Sequence, residues 1–144
     1  MKNSDTVRLL KECDSGTKMA VASFEEVIPD TQSFEMKKLL QDSKQRHESL
    51  GNELHSYLNE IGCEGKEPNA VAKGMSWMKT NFKMAMHDGD ETIADLMTEG
   101  CNMGIKSLSK FLNEYKDADD YSKTLCNKII SEEEALVKDL REYL

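Results

Sequence analysis

The sequence predicts an all-α protein, a four-helix bundle with one additional helix in a long connection. Four long segments place apolar residues at the three- and four-residue spacing of a core-facing helix. No segment shows the alternating pattern of a half-buried strand. Turn signals separate the helical segments, and a chain of 144 residues corresponds to a single domain over residues 1–144.

The first helix is predicted over residues 4–28, with Ser4 or Asp5 as its N-cap and Pro29 as its end. Gly16 indicates close packing, since glycine inside a helix costs about 1 kcal/mol relative to alanine. The link through Pro29 and Asp30 is tight, so the first two helices should be antiparallel neighbours. The inward stripe of the first helix is Val7, Leu10, Asp14, Thr17, Val21, Phe24 and Ile28.

The second helix is predicted over residues 31–61, with Asp30 as its cap and Gly62 as its left-handed end. It is the longest uninterrupted helical pattern in the chain. His47 is the polar residue on its apolar stripe that raises a functional question. The full stripe is Met36, Leu40, Ser43, His47, Leu50, Leu54, Tyr57 and Ile61.

A connection of about 27 residues follows, and it contains a shorter amphipathic helix predicted over residues 69–87. Antiparallel neighbours need far fewer residues between them. We therefore expect the connection to cross the bundle and to make the second and third long helices parallel. An up-and-down array with an extra packed helix is the alternative. The connection's apolar stripe is Val71, Met75, Met78, Phe82 and Ala85 or Met86.

The third and fourth helices are predicted over residues 90–115 and 119–143. Asp88 and Glu91 have the spacing of a capping box, and an acidic turn precedes the fourth helix. Glycines on the third helix would let a neighbour approach closely. Its stripe is Ile93, Leu96 or Met97, Gly100, Met103 or Gly104, Leu108, Phe111 and Tyr115. The fourth stripe is Leu125, Ile129, Glu132, Leu136, Leu140 and Tyr143.

Composition excludes several classes of protein. A net charge of −8 disfavours nucleic-acid binding, which depends on clustered Lys and Arg. The amino terminus lacks the apolar run of a secretory signal, and no stretch is long enough for a membrane span, so a cytoplasmic location is predicted. Reduced thiols without metal or redox spacing are predicted for Cys13, Cys63, Cys101 and Cys126.

Alignment of the helices about their turns places Asp14, His47 and Glu132 at a similar depth. One imidazole and two carboxylates can hold iron, manganese or zinc, and bundle cores are where such sites are built. The alternative is a layer of buried polar groups that only hydrogen-bond to one another. A thiol-imidazole pair of Cys13 and His47 is a third hypothesis, although nothing in the sequence positions a substrate. Further ligand candidates on neighbouring faces are Glu25, Glu48, Glu99 and His55.

The helix lengths, the long connection and the stretch Lys44-Gln45-Arg46-His47-Glu48 resemble the ferritin-like superfamily, in particular its small bacterial bundle proteins. The resemblance implies Glu-x-x-His on the second and fourth helices and a glutamate on each of the others. His47 matches the first motif, but Lys44 replaces its glutamate, and the fourth helix has Ala135 where a histidine would follow Glu132. These departures imply a degenerate or single-metal site, or no site, rather than ferroxidase or oxygenase chemistry.

The predicted function is therefore a non-catalytic ferritin-like bundle with a structural, interaction or stress-associated role, without a cofactor. The alternative is binding of one iron or manganese ion through Asp14, His47 and Glu132. The Met-rich connection around Trp77 is a candidate surface for a protein partner, and its alternative role is packing on the core. A homodimer is expected from base rates alone.

Overall fold

The computed structural model describes residues 3–64 and 89–144. These residues form four long α-helices and no strand, which confirms the predicted all-α class. The predicted crossover helix over residues 69–87, with Trp77, lies outside the described residues. Short 3₁₀ turns follow the first and last helices. The four helices are α1 (Ser4–Val27), α2 (Phe34–Glu60), α3 (Asp90–Glu114) and α4 (Asp120–Leu140).

The N-caps of three helices are short polar side chains. Asn3 accepts a hydrogen bond from the third amide of α1, Ser33 does the same for α2, and Asp119 does so for α4. The predicted caps are wrong, because Ser4 and Asp5 are both already helical and Asp30 lies in a 3₁₀ turn. Several neighbouring polar residues could have served as the cap in each case.

The structure confirms the role predicted for Gly62 but not the one predicted for Gly16. Gly62 ends α2 with a positive φ of 79°, as predicted from its left-handed preference. Gly16 is not required by a close approach, since a Cβ built there meets no atom within 4 Å. On α3 the inward position goes to Gly104, while the alternative Met103 is 60% exposed.

α2 and α3 run parallel, as the long connection predicts. The carboxylate of Asp90, the first residue of α3, accepts hydrogen bonds from the amides of Gln32 and Ser33, just before α2, at 2.8 Å each. At the opposite end, the hydroxyl of Tyr57 on α2 donates to Asp119, which follows α3, at 2.5 Å. Both helices therefore begin at one end of the bundle and finish at the other.

α1 and α4 complete the ring. Each of them contacts both α2 and α3, which lie diagonally opposite one another. α1 runs parallel to α4, since Asn3 donates to the carbonyl of Asp117 at 2.9 Å and Thr6 accepts from the amide of Asp119 at 2.8 Å. None of the described helices is long and apolar enough to cross a membrane.

The core consists of two apolar clusters, one at each end of the bundle. The Phe24 cluster lies where α2 and α3 begin, and the Leu125 cluster lies where they end. The Phe24 cluster contains Phe24, Val27, Met36, Leu40, Ile93, Ala94, Leu96, Met97, Cys101, Leu136 and Leu140. The Leu125 cluster contains Leu9, Leu10, Cys13, Leu54, Leu58, Leu108, Ala118, Leu125, Cys126 and Ile129.

Candidate functional site in the middle layer of the bundle

A polar layer separates the two apolar clusters. It contains Thr17 on α1, Ser43 and His47 on α2, Gly104 on α3 and Glu133 on α4, each at a position between members of the two clusters. The four residues with side chains are at most 7% exposed. We call these five residues the middle layer. It is the place in the described structure where imidazole and carboxyl groups enter the core together.

His47 is held as a neutral imidazole. Its Nδ1 lies 2.8 Å from the carbonyl oxygen of Ser43, and a carbonyl can only accept, so Nδ1 carries the proton and Nε2 is left as an acceptor. Burial lowers the pKa of His47, against the opposing effects of the Ser43 carbonyl and of Glu132. The ring packs on Phe24 at a centroid distance of 5.3 Å. Nε2 is buried and has no hydrogen-bond partner among the described residues.

Glu133 brings a carboxyl group into the same layer. Burial raises its pKa to about 8, so the protonated form predominates at neutral pH. The carboxyl lies against the backbone of Gly104, where an added Cβ would be 2.5 Å from Oε2 and 2.8 Å from Oε1. Burial, assisted by Glu133, also raises the pKa of the nearby Cys101 thiol to about 12. Oε2 of Glu133 is buried without a partner among the described residues.

Glu132, which the sequence places on the inward stripe, lies instead at the rim between α2 and α4. Its Oε2 is 2.6 Å from Nε of Arg46, and its side chain is 26% exposed. Adjacent helical residues differ in direction by about 100°, so the inward direction belongs to Glu133. The predicted inward position of Glu132 is therefore wrong by one residue.

Asp14 is buried at 2% exposure, but it lies at a different level from His47. The side chain of Phe24 meets His47, and Thr17 faces Gly51, with 3.5 Å between its hydroxyl and a Cβ built on that glycine. Asp14 is ten residues from Phe24, which is about 15 Å along a helix. Its Oδ2 is 2.9 Å from Nζ of Lys18. The structure therefore does not bring Asp14 to His47.

The remaining ligand candidates lie on the surface. Glu25 is exposed, and its carboxylate is 3.6 Å from Nζ of Lys44, the residue that replaces the motif glutamate. Glu48, Glu99 and His55 are exposed as well. Within residues 3–64 and 89–144, no three His, Cys, Asp or Glu side chains are placed to hold a metal ion. Metal binding by the chain itself stays a prediction.

The cysteines behave as apolar core residues. Cys13 and Cys126 are fully buried in the Leu125 cluster, where a hydrogen bond with Cys126, together with burial, raises the pKa of Cys13 well above its usual value. Cys101 is buried and Cys63 is half-buried, and all four are free thiols. Cys13 belongs to the apolar cluster and His47 to the middle layer. A thiolate nucleophile is disfavoured in such an environment.

Sequence reasoning missed Glu133 and chose its neighbour. The step from Ile129 to Leu136 can be divided as three plus four residues or as four plus three, and both divisions fit a helical stripe. The first selects Glu132 and the second selects Glu133. A glycine on the facing helix, here Gly104, is a signal that could have favoured the second, because it leaves room for an inward carboxyl group.

A family model described as "Domain of unknown function (DUF2383)" matches residues 5–114, which covers most of the 144-residue chain. The match begins in α1 and ends with α3. No curated protein and no solved structure matches the chain.

Proposed function

We propose that this chain, which belongs to the DUF2383 family, is a non-catalytic ferritin-like bundle with a structural, interaction or stress-associated role. The observation that carries the proposal is that the candidate polar groups are either paired with a cation of the chain or uncharged. The predicted carboxylates Asp14 and Glu132 are each held by a cation of the chain, and the buried groups of His47 and Glu133 are neutral at pH 7.

A catalytic site needs a nucleophile, base or Lewis acid beside a place for substrate. In the middle layer the imidazole and the carboxyl group are both enclosed by apolar clusters. Buried polar groups of this kind can fix which helices pair and in which register. This supports a role carried by the exposed helix faces, with the core as their support.

The ferritin-like part of the proposal is supported by the path of the chain. The bundle contains two antiparallel pairs, α1 with α2 and α3 with α4, joined by one long connection that makes α2 and α3 parallel. A four-helix bundle with a single long crossover is typical of ferritin-like folds. A plain up-and-down bundle of these four helices would have made α2 and α3 antiparallel.

The test is a comparison of stability with and without metal. The protein is purified without chelator, its metal content is measured, and its unfolding free energy is determined in EDTA, Mn(II) and anaerobic Fe(II). A non-catalytic bundle should show equal stability in all three. A specific site would raise stability by about 2.7 kcal/mol at a metal concentration 100 times the Kd, and that result would overturn the proposal.

The second candidate function is binding of one iron or manganese ion in the middle layer. The observation that favours it is the pair of buried atoms without partners, Nε2 of His47 and Oε2 of Glu133. A metal would use the lone pair of the neutral imidazole and would release the proton of the carboxyl group. An imidazole and a carboxyl group are donors that such an ion accepts. A third would have to come from Glu132, which would first have to leave Arg46, since Asp14 lies at a different level of the bundle.

His47→Ala tests this candidate, with His55→Ala as the matched control because His55 is exposed on the same helix. Stoichiometric metal that is lost in His47→Ala and retained in His55→Ala would establish the site. Glu133→Gln should then weaken metal binding, whereas Glu132→Gln should not. Equal metal content in both histidine variants would exclude His47 as a ligand.

A further inference from the structure

Two cysteines lie at the same level of the bundle on neighbouring parallel helices. The hydrogen bond from the amide of Asp119 to the hydroxyl of Thr6 joins positions 113 residues apart in the sequence. Cys13 and Cys126 have the same separation, and each follows one partner of that hydrogen bond by seven residues, which is about two helical turns. Because α1 and α4 run parallel, the equal spacing brings the two cysteines together.

The two thiols meet inside the Leu125 cluster, where both side chains are fully buried. The Cys126 thiol donates its proton to the carbonyl oxygen of Leu108 at 3.9 Å. Its sulfur is therefore left as an acceptor for the Cys13 thiol, and this hydrogen bond, together with burial, raises the pKa of Cys13. The contact directs one sulfur towards the other across α1 and α4.

We propose that Cys13 and Cys126 are a dithiol-disulfide site, which a small hydroperoxide oxidises when the end of the bundle where α1 and α4 begin opens locally. The site does not depend on the role proposed above for the exposed helix faces. It assigns a chemical reaction to two core residues that otherwise only fill space.

The reaction takes two steps. During the opening, one thiol loses its proton, and its sulfur attacks the hydroxyl oxygen of the hydroperoxide. An S–O bond forms, the O–O bond breaks, and the other oxygen takes the proton and leaves as an alcohol, or as water from hydrogen peroxide. The second thiol then attacks the sulfenic sulfur, so that an S–S bond forms, the S–O bond breaks and water leaves. The two sulfurs give up two electrons, which reduce the hydroperoxide.

The surroundings of the pair favour a disulfide over a bound metal. A metal binds the thiolate form of cysteine, and an apolar cluster penalises a buried charge. A disulfide is neutral, so the same cluster accepts it. Within residues 3–64 and 89–144, no third His, Cys, Asp or Glu side chain joins the two thiols to form a metal site.

The closed bundle protects the pair, because oxidation of a thiol requires both thiolate character and exposure. Asn3 holds this end of the bundle closed in two ways. Its side chain accepts a hydrogen bond from the amide of Thr6 and caps α1, and it also donates to the carbonyl of Asp117, just before α4, at 2.9 Å. Removal of this side chain should therefore loosen the starts of both helices and expose the thiols more often.

The first test uses the unmodified protein. It is incubated with hydrogen peroxide, the remaining thiols are alkylated, and a peptide map is measured by mass spectrometry without reduction. We expect the main disulfide to join the peptides of Cys13 and Cys126, with a mass about 2 Da below the sum of the reduced peptides. A main disulfide that includes Cys63 or Cys101, or no disulfide at all, would overturn the proposal.

The second test measures how fast the linked peptide forms. In Asn3→Ala we expect formation about fivefold faster than in the wild type, the effect typical of a lost cap. The matched control is Ser33→Ala, which removes the cap of α2 at the opposite end of the bundle and should leave the rate unchanged. Equal rates in the two variants would overturn the proposal, because the thiols would then react only after the whole bundle unfolds.

The third test compares the oxidised and reduced forms of the unmodified protein. A disulfide between Cys13 and Cys126 ties the first helix to the last and restricts the unfolded chain, so the urea midpoint should rise by about 1–2 M. Dithiothreitol should reverse the rise. A midpoint that falls on oxidation would overturn the proposal, since the folded bundle would then not accommodate the bond.

Discussion

The two ends of the bundle and its middle layer differ in what their buried atoms contribute. The Phe24 and Leu125 clusters consist of apolar side chains, each removed from water at a gain of about 25 cal/mol per Å². The middle layer buries a hydroxyl, an imidazole and a carboxyl group that have atoms without partners in the described structure. Such atoms lose hydration without full compensation. The ends therefore supply stability, and the middle layer reduces it.

The largest expected effect comes from the ends. Leu125→Ala should lower the unfolding free energy by about 2–5 kcal/mol, because Leu125 is fully buried and leaves a cavity. Ser43→Ala in the middle layer should be neutral or stabilising, since it removes a buried hydroxyl oxygen without a partner and introduces a stronger helix former. Urea unfolding of both variants measures the contrast. A larger loss for Ser43→Ala than for Leu125→Ala would reverse the comparison.

The next effect is a dependence of stability on pH. The folded pKa of Glu133 is about 8, against an ordinary value near 4.3, so the native state holds this proton more tightly. Stability from Glu133 is complete below the unfolded pKa and falls as the pH rises through the folded one. Glu133→Gln stays neutral, so its stability relative to the wild type should rise by about 4–5 kcal/mol between pH 4 and pH 9.

Glu132→Gln is the matched control for this pH dependence, because it makes the same chemical change at the partly exposed neighbouring position. Unfolding by urea at several pH values gives the difference curve for each variant. The rise should occur for Glu133→Gln and should be absent for Glu132→Gln. The opposite pattern would mean that Glu132, not Glu133, is the inward residue in solution.

A smaller effect concerns the glycines of α3. Gly104→Ala should destabilise the protein by about 1–3 kcal/mol, because the new Cβ would overlap the carboxyl group of Glu133. Gly100→Ala should instead stabilise it by up to about 1 kcal/mol, since nothing lies within 4 Å of a Cβ there. Thermal unfolding measures both. The loss in Gly104→Ala should nearly vanish in a Glu133→Ala background, and additive losses would show that the two residues do not touch.

The sequence predicted the helices well because their period extends over many residues. An error at one position hardly changes a stripe that runs from Met36 to Ile61, so α2 was recognised with ends a few residues too long. The parallel direction of α2 and α3 also followed from one robust quantity, the length of the connection. A prediction that depends on many residues stays correct even when the direction of one side chain is uncertain.

The candidate site was less predictable because it depends on single residues. The depth of Asp14 relative to His47 was derived from symmetric pairing about a turn at Pro29 and Asp30. The contact between Thr17 and Gly51 shows that α2 is displaced along α1 by about two helical turns from that pairing. The choice between Glu132 and Glu133 depended on one residue of helix rotation. His47 was identified correctly as buried because apolar residues, Leu40 before it and Leu50 after it, continue the stripe on both sides.

The carboxylate of Asp90 has a consequence for the order of folding. Asp90 lies 58 residues after Gln32 and 57 residues after Ser33 in the sequence, so its hydrogen bonds to their amides each close a long stretch of chain. Loop-closure entropy increases by only about 0.6 kcal/mol for each doubling of length, but nonlocal contacts form slowly. The α1-α2 hairpin can form without this contact, whereas the start of α2 gains its partner only after the crossing is complete. Protection of these two amides from hydrogen exchange should therefore report when the chain has acquired its native topology.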